Sequence, residues 1–397
     1  MHDPNEAEDQ STRPSEFTEL IEGKARLAIP TSARGISKVF YNRMMNLNRD
    51  IAVLFASSHF PPSRQLRVCD PMTASGVRAI RYALETPNVL TVLAADNEPE
   101  TVQVARSNIS LNRLGERVTV VESDANLLLL NRVNERFDLV DLDPFGSPAP
   151  FFENVLRATL DGGIIAATAT DMGPLTGARA AACIRKYGAW PVRSEFGKEM
   201  AVRTLAGCLA RIAARLELGL EIAFAHASDH YTRIYAQVNK GKRSANLSSK
   251  YLGFLEYCPA CLRRNASSTL ESIRTSCEDC GARAKIGGPV WIGPIWNANT
   301  VQAMIERAPT LESPRLSELQ ITLTRTLEEH ECPPFHYTTD AFSRVLKVKP
   351  PSLRRVLNAL RETGFQATGT HFTPNGFRTD APCKEIASTF RTLASEA

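Results

Sequence analysis

Asp141-Leu142-Asp143-Pro144-Phe145-Gly146-Ser147-Pro148 closes an apolar run, Phe137, Leu139, Val140 and Leu142, whose strand-like alternation is broken by acids. The pattern predicts a buried strand that delivers a carboxylate to a stiff loop. Pro144 and Pro148 fix φ on either side of Phe145, and Gly146 permits a turn, so Asp143 and Phe145 are held at the strand's carboxyl end. In an open α/β sheet, ligands bind at that edge. Taken alone, the stretch reads equally well as a rigid strand-to-loop turn with a solvated aspartate.

Upstream, the order is that of a doubly wound sheet. A strand over 66–69 leads into the turn Asp70-Pro71-Met72-Thr73-Ala74-Ser75-Gly76, a helix follows to Leu84, and a strand over 90–95 ends in Asp96. Gly76 and Asp96 are 20 residues apart, the separation at which an acid after the second strand meets the ribose hydroxyls of a nucleoside cofactor. The turn has one glycine instead of Gly-x-Gly-x-x-Gly, so a pyrophosphate is poorly cradled and a cofactor without phosphates fits better. S-adenosylmethionine meets that description. Asp96 faces its ribose, Asp124 and Ala125 after a third strand (118–121) face its adenine, and Arg49 or Arg78 faces its carboxylate. Each of these residues read singly is a solvated loop end or surface charge; their positions after successive strands join them.

Downstream, 162–168 reads as a fifth strand and Asp171-Met172-Gly173-Pro174-Leu175 repeats the strand-then-turn design. A helical region with Leu205, Leu209, Ile212 and Leu216 leads to strands over 220–225 and 232–238, joined by Ser228-Asp229-His230-Tyr231. These late strands resemble the closing antiparallel pair of methyltransferase sheets, which dinucleotide-binding sheets lack. The Asp143-Pro144-Phe145 loop likewise resembles the (Asp/Asn)-Pro-Pro-(Tyr/Phe) loop of enzymes that methylate exocyclic amines of nucleobases. The lone pair of such an amine is delocalised into the ring, so it needs an acceptor on its N–H and a plate that holds the base. Asp143 is the candidate acceptor and Phe145 the candidate plate.

The chain's 397 residues exceed one compact core and imply two or three domains. Its 43% apolar content is ordinary, and no apolar run approaches the roughly 18 residues of a membrane span. Residues 1–15 are polar and acidic and read as a mobile tail, not a signal, so a cytoplasmic chain is expected. A net charge of +4 is compatible with nucleic acid and decides nothing alone. Apolar runs around Glu22-Gly23 read as a hairpin, and Phe40-Tyr41 before the helical pattern of Ile51, Val53, Leu54 and Phe55 reads as core.

Nine cysteines, an odd number in a large chain, do not form a secreted disulfide framework. Four of them, Cys258-Pro259-Ala260-Cys261 and Cys277-Glu278-Asp279-Cys280, stand as two pairs with fifteen residues between. That is zinc-ribbon spacing, and four thiolates leave a zinc no open position, so the site is structural. Arg263, Arg264, Arg274, Arg283 and Lys285 around it are candidates for phosphate contact or a solvated face. Further on, 301–308 and 316–329 read as helices. Thr339 and Ser352 are N-cap candidates, Leu353, Val356, Leu357 and Leu360 form one stripe, and Gly364 is a C-cap. With a hairpin over 370–378, the tail reads as a winged-helix-like module.

Together the motifs Glu22-Gly23-Lys24-Ala25, Phe40-Tyr41-Asn42, Asn48-Arg49-Asp50, Ser75-Gly76-Val77-Arg78, Asp141 through Pro148, Ala169-Thr170-Asp171, Gly288-Pro289-Val290-Trp291 and Thr370-His371-Phe372 resemble the tRNA guanine-26 N2-dimethyltransferase family. The resemblance covers nearly the whole chain from Glu22. It implies a class I S-adenosylmethionine-dependent, Rossmann-like α/β sheet and a C-terminal α+β region. Asp143 is then the catalytic carboxylate; Phe40 and Phe145, with Pro144, hold the guanine; and Arg49, Arg78, Asp96, Asp124 and Ala125 hold S-adenosylmethionine. Phe40 thereby becomes part of a base clamp instead of core. The expected division is a tail over 1–15, a catalytic domain over 16–245, and a tRNA-binding region over 246–397. The last contains the ribbon (about 255–285) and the winged-helix-like module (about 313–385). Arg43 stands where the family usually has proline after Phe-Tyr-Asn, and the zinc pairs occur in only part of the family. The competing readings are an adenine N6-methyltransferase acting on DNA and a non-catalytic RNA-binding or chaperone protein.

Overall fold

The computed structural model describes residues 17–31, 41–228 and 230–396. The expected tail over 1–15 lies outside them. β1 (Phe17–Glu22) and β2 (Ala25–Pro30) form the hairpin expected around Gly23, which turns with φ +53°. α1 (Asn46–His59) is buried from Leu47 through Ser57, a helix enclosed on every side.

Strands and helices then alternate: β3 (Leu66–Asp70), α2 (Val77–Glu85), β4 (Val89–Asp96), α3 (Pro99–Leu111), β5 (Val118–Glu122), α4 (Ala125–Asn131), β6 (Phe137–Leu142), α5 (Phe152–Ala158) and β7 (Thr159–Ala169). Alternation of this kind builds parallel pairs with helices on both faces. All six residues of β6 are buried, and the acids that break its apolar pattern are paired. Asp138 meets Arg64 at 2.7 Å and Asp141 meets Arg233 at 2.7 Å.

The short helix α6 (Met172–Leu175), α7 (Ala180–Tyr187) and the long α8 (Gly197–Arg215) precede β8 (Leu218–Ala227) and β9 (Thr232–Lys240). The seven strands run in the order β5-β4-β3-β6-β7-β9-β8, with β9 antiparallel to both its neighbours. The expected closing pair is therefore present. The strand order reverses between β3 and β6, so the loops after them face one crevice.

α9 (Lys242–Ser249) leads to a three-stranded antiparallel sheet, β10 (Leu252–Tyr257) flanked by β11 (Arg264–Ser267) and β12 (Lys285–Trp291). α10 (Ala298–Arg307) packs on α1 and α11 (Leu316–Glu328) on α10. The remainder is β13 (Tyr337–Thr338), α12 (Thr339–Leu346), α13 (Leu353–Glu362), β14 (Ala367–Gly369), β15 (Gly376–Thr379) and α14 (Cys383–Ser395). Ser352 caps α13, but Thr338, not Thr339, caps α12, its hydroxyl accepting from Ala341 N. α14 has no counterpart in the sequence reading; its Ile386 and Phe390 complete the core of the tail.

One hydrophobic cluster joins the large sheet to Trp291, Val301, Met304, Leu319, Leu323 and Phe372. A second joins the segment from Ala189 to Met200 with the small sheet and the tail. Glu199 of α8 ties them together. Its buried carboxylate accepts from Phe335 N at 2.7 Å, His336 N at 2.9 Å and Arg203 Nε at 2.9 Å, and pairs with Arg378 at 3.0 Å. Arg378 in turn pairs with Glu329, which also holds His371.

Candidate active site

At the carboxyl edge of the parallel strands lies a cavity of about 760 Å³. Its lining comes from the turns after four consecutive strands: Asp70 to Ser75, Asp96 to Glu98, Ser123 to Ala125, and Asp143 to Phe145. Arg49, Arg78, Asp96, Asp124, Ala125, Asp143, Pro144 and Phe145 all border this one space. Phe40 lies outside the described residues; its neighbour Tyr41 lines the cavity.

Asp143 sits at the centre of a charged cluster. Arg78 donates to its carboxylate, to Asn48 Oδ1 at 3.0 Å and to Asp141 at 3.3 Å. Behind them, Asp141 also accepts from Tyr82 Oη at 2.6 Å and from Arg233, which reaches Thr168 Oγ1 at 2.5 Å. Burial alone would raise the Asp143 carboxyl, but Arg78 and Arg233 outweigh it and hold the group below its usual value. Asp143 is thus a carboxylate throughout the neutral range, with a fifth of its side chain open to solvent.

The loop that carries it is pinned. Gly146 N donates to Thr170 Oγ1 at 2.7 Å and Gly146 O accepts from Thr170 N at 2.9 Å. Gly146 turns with φ +82°, and Phe145 stands 76% exposed at the cavity's edge. Asp171, one residue past the clamp, is held by Lys186 at 2.9 Å and Tyr187 Oη at 2.5 Å and does not line the cavity.

On the opposite wall, Asp96 accepts from Ala74 N at 3.0 Å and Glu98 N at 3.1 Å, which fixes its carboxylate against the glycine turn. Gly76 opens α2 with φ +81°, and a Cβ there would lie 3.4 Å from Ala105. Asp124 caps α4, one oxygen accepting from Leu127 N at 3.0 Å. Asp124 and Ala125, at the N-terminus of α4, border the cavity.

The two arginines expected to hold a ligand carboxylate are both engaged with protein acids. Arg49 makes a two-point pair with Glu22, at 2.6 and 2.5 Å, and donates to Asn42 O at 3.0 Å. Arg81 reaches the same glutamate at 3.0 Å. Burial opposes ionisation of Glu22, yet Arg49, Arg81 and the Tyr41 hydroxyl hold its carboxyl down at about 2.

Three participants escaped the sequence reading. Asp70 ends β3, is 1% exposed, and was read only as a turn residue. Burial and the nearby charge of Asp141 push its carboxyl up to about 7 against the pull of Arg78. Arg233 and Tyr82 support Asp141 from behind, and an arginine inside an apolar strand pattern was the available signal for the first.

Away from the sheet, the ligand atoms of Cys258, Cys261, Cys277 and Cys280 all lie within 4.8 Å of one another. Four thiolates at the Zn–S distance require sulfurs about 3.8 Å apart, so the donor set and its span fit one zinc. Leu262, with φ +67°, and Gly281, with φ +70°, turn the backbone after each pair. The surrounding cations are less open than expected. Arg263 pairs with Glu256 at 3.1 Å and with Glu278, while Arg264 pairs with Glu195 at 2.6 Å and lies 3.7 Å over the Tyr337 ring. Both serve the fold; Arg274 is exposed but pairs with Glu278 at 2.7 Å, and Arg283 and Lys285 are exposed.

No helix among the described residues is long and apolar enough to cross a membrane. The family model described as N2,N2-dimethylguanosine tRNA methyltransferase matches residues 23–391. A tRNA (guanine(26)-N(2))-dimethyltransferase of Thermococcus kodakarensis is 36% identical over 396 residues, covering 95% of this chain and 100% of the relative. The tRNA (guanine(26)-N(2)/guanine(27)-N(2))-dimethyltransferase of Aquifex aeolicus is 32% identical, covering 92% of this chain and 93% of that one. The structure of Trm1 from Pyrococcus horikoshii with S-adenosyl-L-methionine superposes with a TM-score of 0.85 at 34% identity, covering 94% of this chain and 99% of that chain.

Proposed function

The chain belongs to the N2,N2-dimethylguanosine tRNA methyltransferase family, and from that membership we infer that it methylates the exocyclic N2 of guanosine 26 in tRNA, giving N2-methyl- and then N2,N2-dimethylguanosine. The observation that carries the chemistry is an arginine-held carboxylate, Asp143, beside an exposed ring, Phe145, at the mouth of a cavity built from four successive strand ends. S-adenosylmethionine supplies an electrophilic methyl group. Arg49 and Arg78 face its carboxylate, Asp96 its ribose hydroxyls, and Asp124 with Ala125 its adenine.

The reaction's demand on the protein is electrostatic. The target nitrogen gains positive character as it attacks, so an acceptor on its N–H is worth more in the transition state than before it. Asp143 is that acceptor. The base must first leave its stack, at a cost of a few kcal/mol, and lie against an aromatic face. Phe145 is exposed where such a face is needed, Pro144 stiffens the approach, and Phe40 is the second face of the clamp. After one transfer the amine keeps one N–H, which Asp143 accepts again once the nitrogen turns.

The four cysteines hold a structural zinc, supported by the all-thiolate donor set. The small sheet, α12, α13 and the β14–β15 hairpin form the tRNA-gripping region, with the helix–helix–hairpin order of a winged helix in support. Nucleoside mass spectrometry of tRNA after reaction, with a transcript altered at position 26 as control, tests the function. Methyl transfer to duplex DNA with none to tRNA would sink it, and modification at position 27 would show as a second mapped site.

A further inference from the structure

We propose that Trp190 and the exposed cations of its segment form an RNA platform, on which an unpaired base of the tRNA stacks. The proposal rests on the reading of the chain as a tRNA methyltransferase. Trp190 is 58% exposed, whereas the protein's other two tryptophans, Trp291 and Trp296, are 1% and 6% exposed. A lone exposed ring is ordinary on a protein surface; this one is held in place on a segment with exposed cations on either side in the chain.

The backbone under it is fixed from both sides. Trp190 N donates to Gly288 O at 2.9 Å and Trp190 O accepts from Gly288 N at 2.8 Å, while Ala189 and Val192 are buried. The approach is close enough that a Cβ on Gly287 would stand 3.0 Å from Trp190 O. Arg211 donates to Gly188 O at 2.8 Å and to Tyr187 O, gripping the turn before the ring. The indole is therefore presented on a rigid support, which lowers the entropy lost on stacking.

Its position is equally informative. Tyr187 Oη donates to Asp171, which adjoins the Thr170 clamp of the Asp143 loop. Trp190 follows Tyr187 by three residues, at most about 11 Å of chain, so the segment that carries the ring is tied to the one that pins the Asp143 loop. Arg185 and Arg193 on the same segment are exposed, and neither makes an ion pair among the described residues. Lys285, near the anchoring Gly288, is exposed as well. Glu195 and Glu199, the acids of this segment, are bound by Arg264 and by Arg203 and Arg378. Uncompensated positive charge around an aromatic face suits a phosphate chain with stacked bases and opposes contact with a second copy of the same face.

The experiment uses the full chain and a tRNA transcript. Because Trp190 is the exposed tryptophan, tRNA should quench the protein's fluorescence, and Trp190→Phe should remove the quench while keeping affinity within about threefold. Trp190→Ala should raise the tRNA dissociation constant between about five- and a hundredfold, leaving S-adenosylmethionine binding and melting temperature unchanged. Arg185→Ala with Arg193→Ala should flatten the salt dependence of tRNA binding. Wild-type protein that binds tRNA without quenching, or Trp190→Ala with unaltered affinity, overturns the platform and leaves the enzyme reading intact. A Trp190→Ala chain that loses self-association but not tRNA affinity assigns the ring to a protein contact and overturns it too. If the wild type binds no tRNA at all, the functional reading itself falls.

Discussion

Arg78 donates to Asp143 while the same guanidinium reaches Asp141 at 3.3 Å, so the exposed carboxylate of the pair is held by a cation anchored in the core. The arrangement fixes both the charge and the direction of Asp143. Arg78→Lys keeps one positive charge but cannot serve Asn48, Asp141 and Asp143 together. With less positive charge on it, the Asp143 carboxyl rises, so the acid limb of the single-turnover pH profile should move to higher pH in the variant. A profile that drops in height without moving would show that Arg78 acts only through packing or cofactor contact.

Asp143→Ala removes the proposed acceptor. Loss of one well-placed electrostatic group costs roughly 10²–10³ in rate, and Asp171 is engaged by Lys186 and Tyr187 and so does not substitute. Turnover should fall by at least that much with S-adenosylmethionine affinity unchanged; Asp143→Asn, which keeps an oxygen but no charge, should fall between. Phe145→Ala should slow transfer and raise the tRNA concentration required. Single-turnover rates at saturating substrates decide, and a near wild-type Asp143→Ala would make the residue a mere loop-former.

Cys277→Ser breaks a four-thiolate site that borders the second hydrophobic cluster through Leu262 and Tyr257. The expected result is one zinc per wild-type chain, less in the variant, and a lower melting temperature with the transfer rate of the surviving folded protein intact. Metal analysis giving no zinc in carefully purified wild-type protein removes the assignment.

Glu329 offers a test by pH. Burial would raise its carboxyl, but Arg378 and His371 hold it down at about 2. A depressed acid adds stability that is complete above its unfolded value near 4.5 and is lost as pH falls through about 2. The contribution is on the order of 3 kcal/mol. Glu329→Gln should therefore melt well below the wild type at pH 7, with the gap closing as pH falls from about 4.5 toward 2. A gap constant across that window would mean the loss is steric.

What the sequence disclosed was what lies close together along the chain. Asp143-Pro144-Phe145, the Gly76 turn with Asp96, and the two cysteine pairs each carry their geometry in local spacing. The supports of Asp141 do not: Tyr82 and Arg233 are 59 and 92 residues from it. Arg263 and Arg264 looked open to phosphate because their acids, Glu256, Glu278 and Glu195, meet them only through the fold. Read linearly, the winged-helix-like module from about residue 313 also looks like a separate unit. In the fold it supplies three of Glu199's partners, so a truncation there leaves its carboxylate with Arg203 alone and uncovers the second hydrophobic cluster.

That same buried glutamate sets an order of events during synthesis. Glu199 leaves the ribosome long before Arg378, and until the arginine emerges the helix carrying it lacks its counter-charge from the tail. The large sheet can assemble from its own strands with Arg203, one turn along the same helix, as the carboxylate's partner, and the second arginine arrives only with β15. Docking of β15 thereby completes the charge pairing of α8, and a product terminated before Arg378 holds that carboxylate with one arginine where the full fold gives it two.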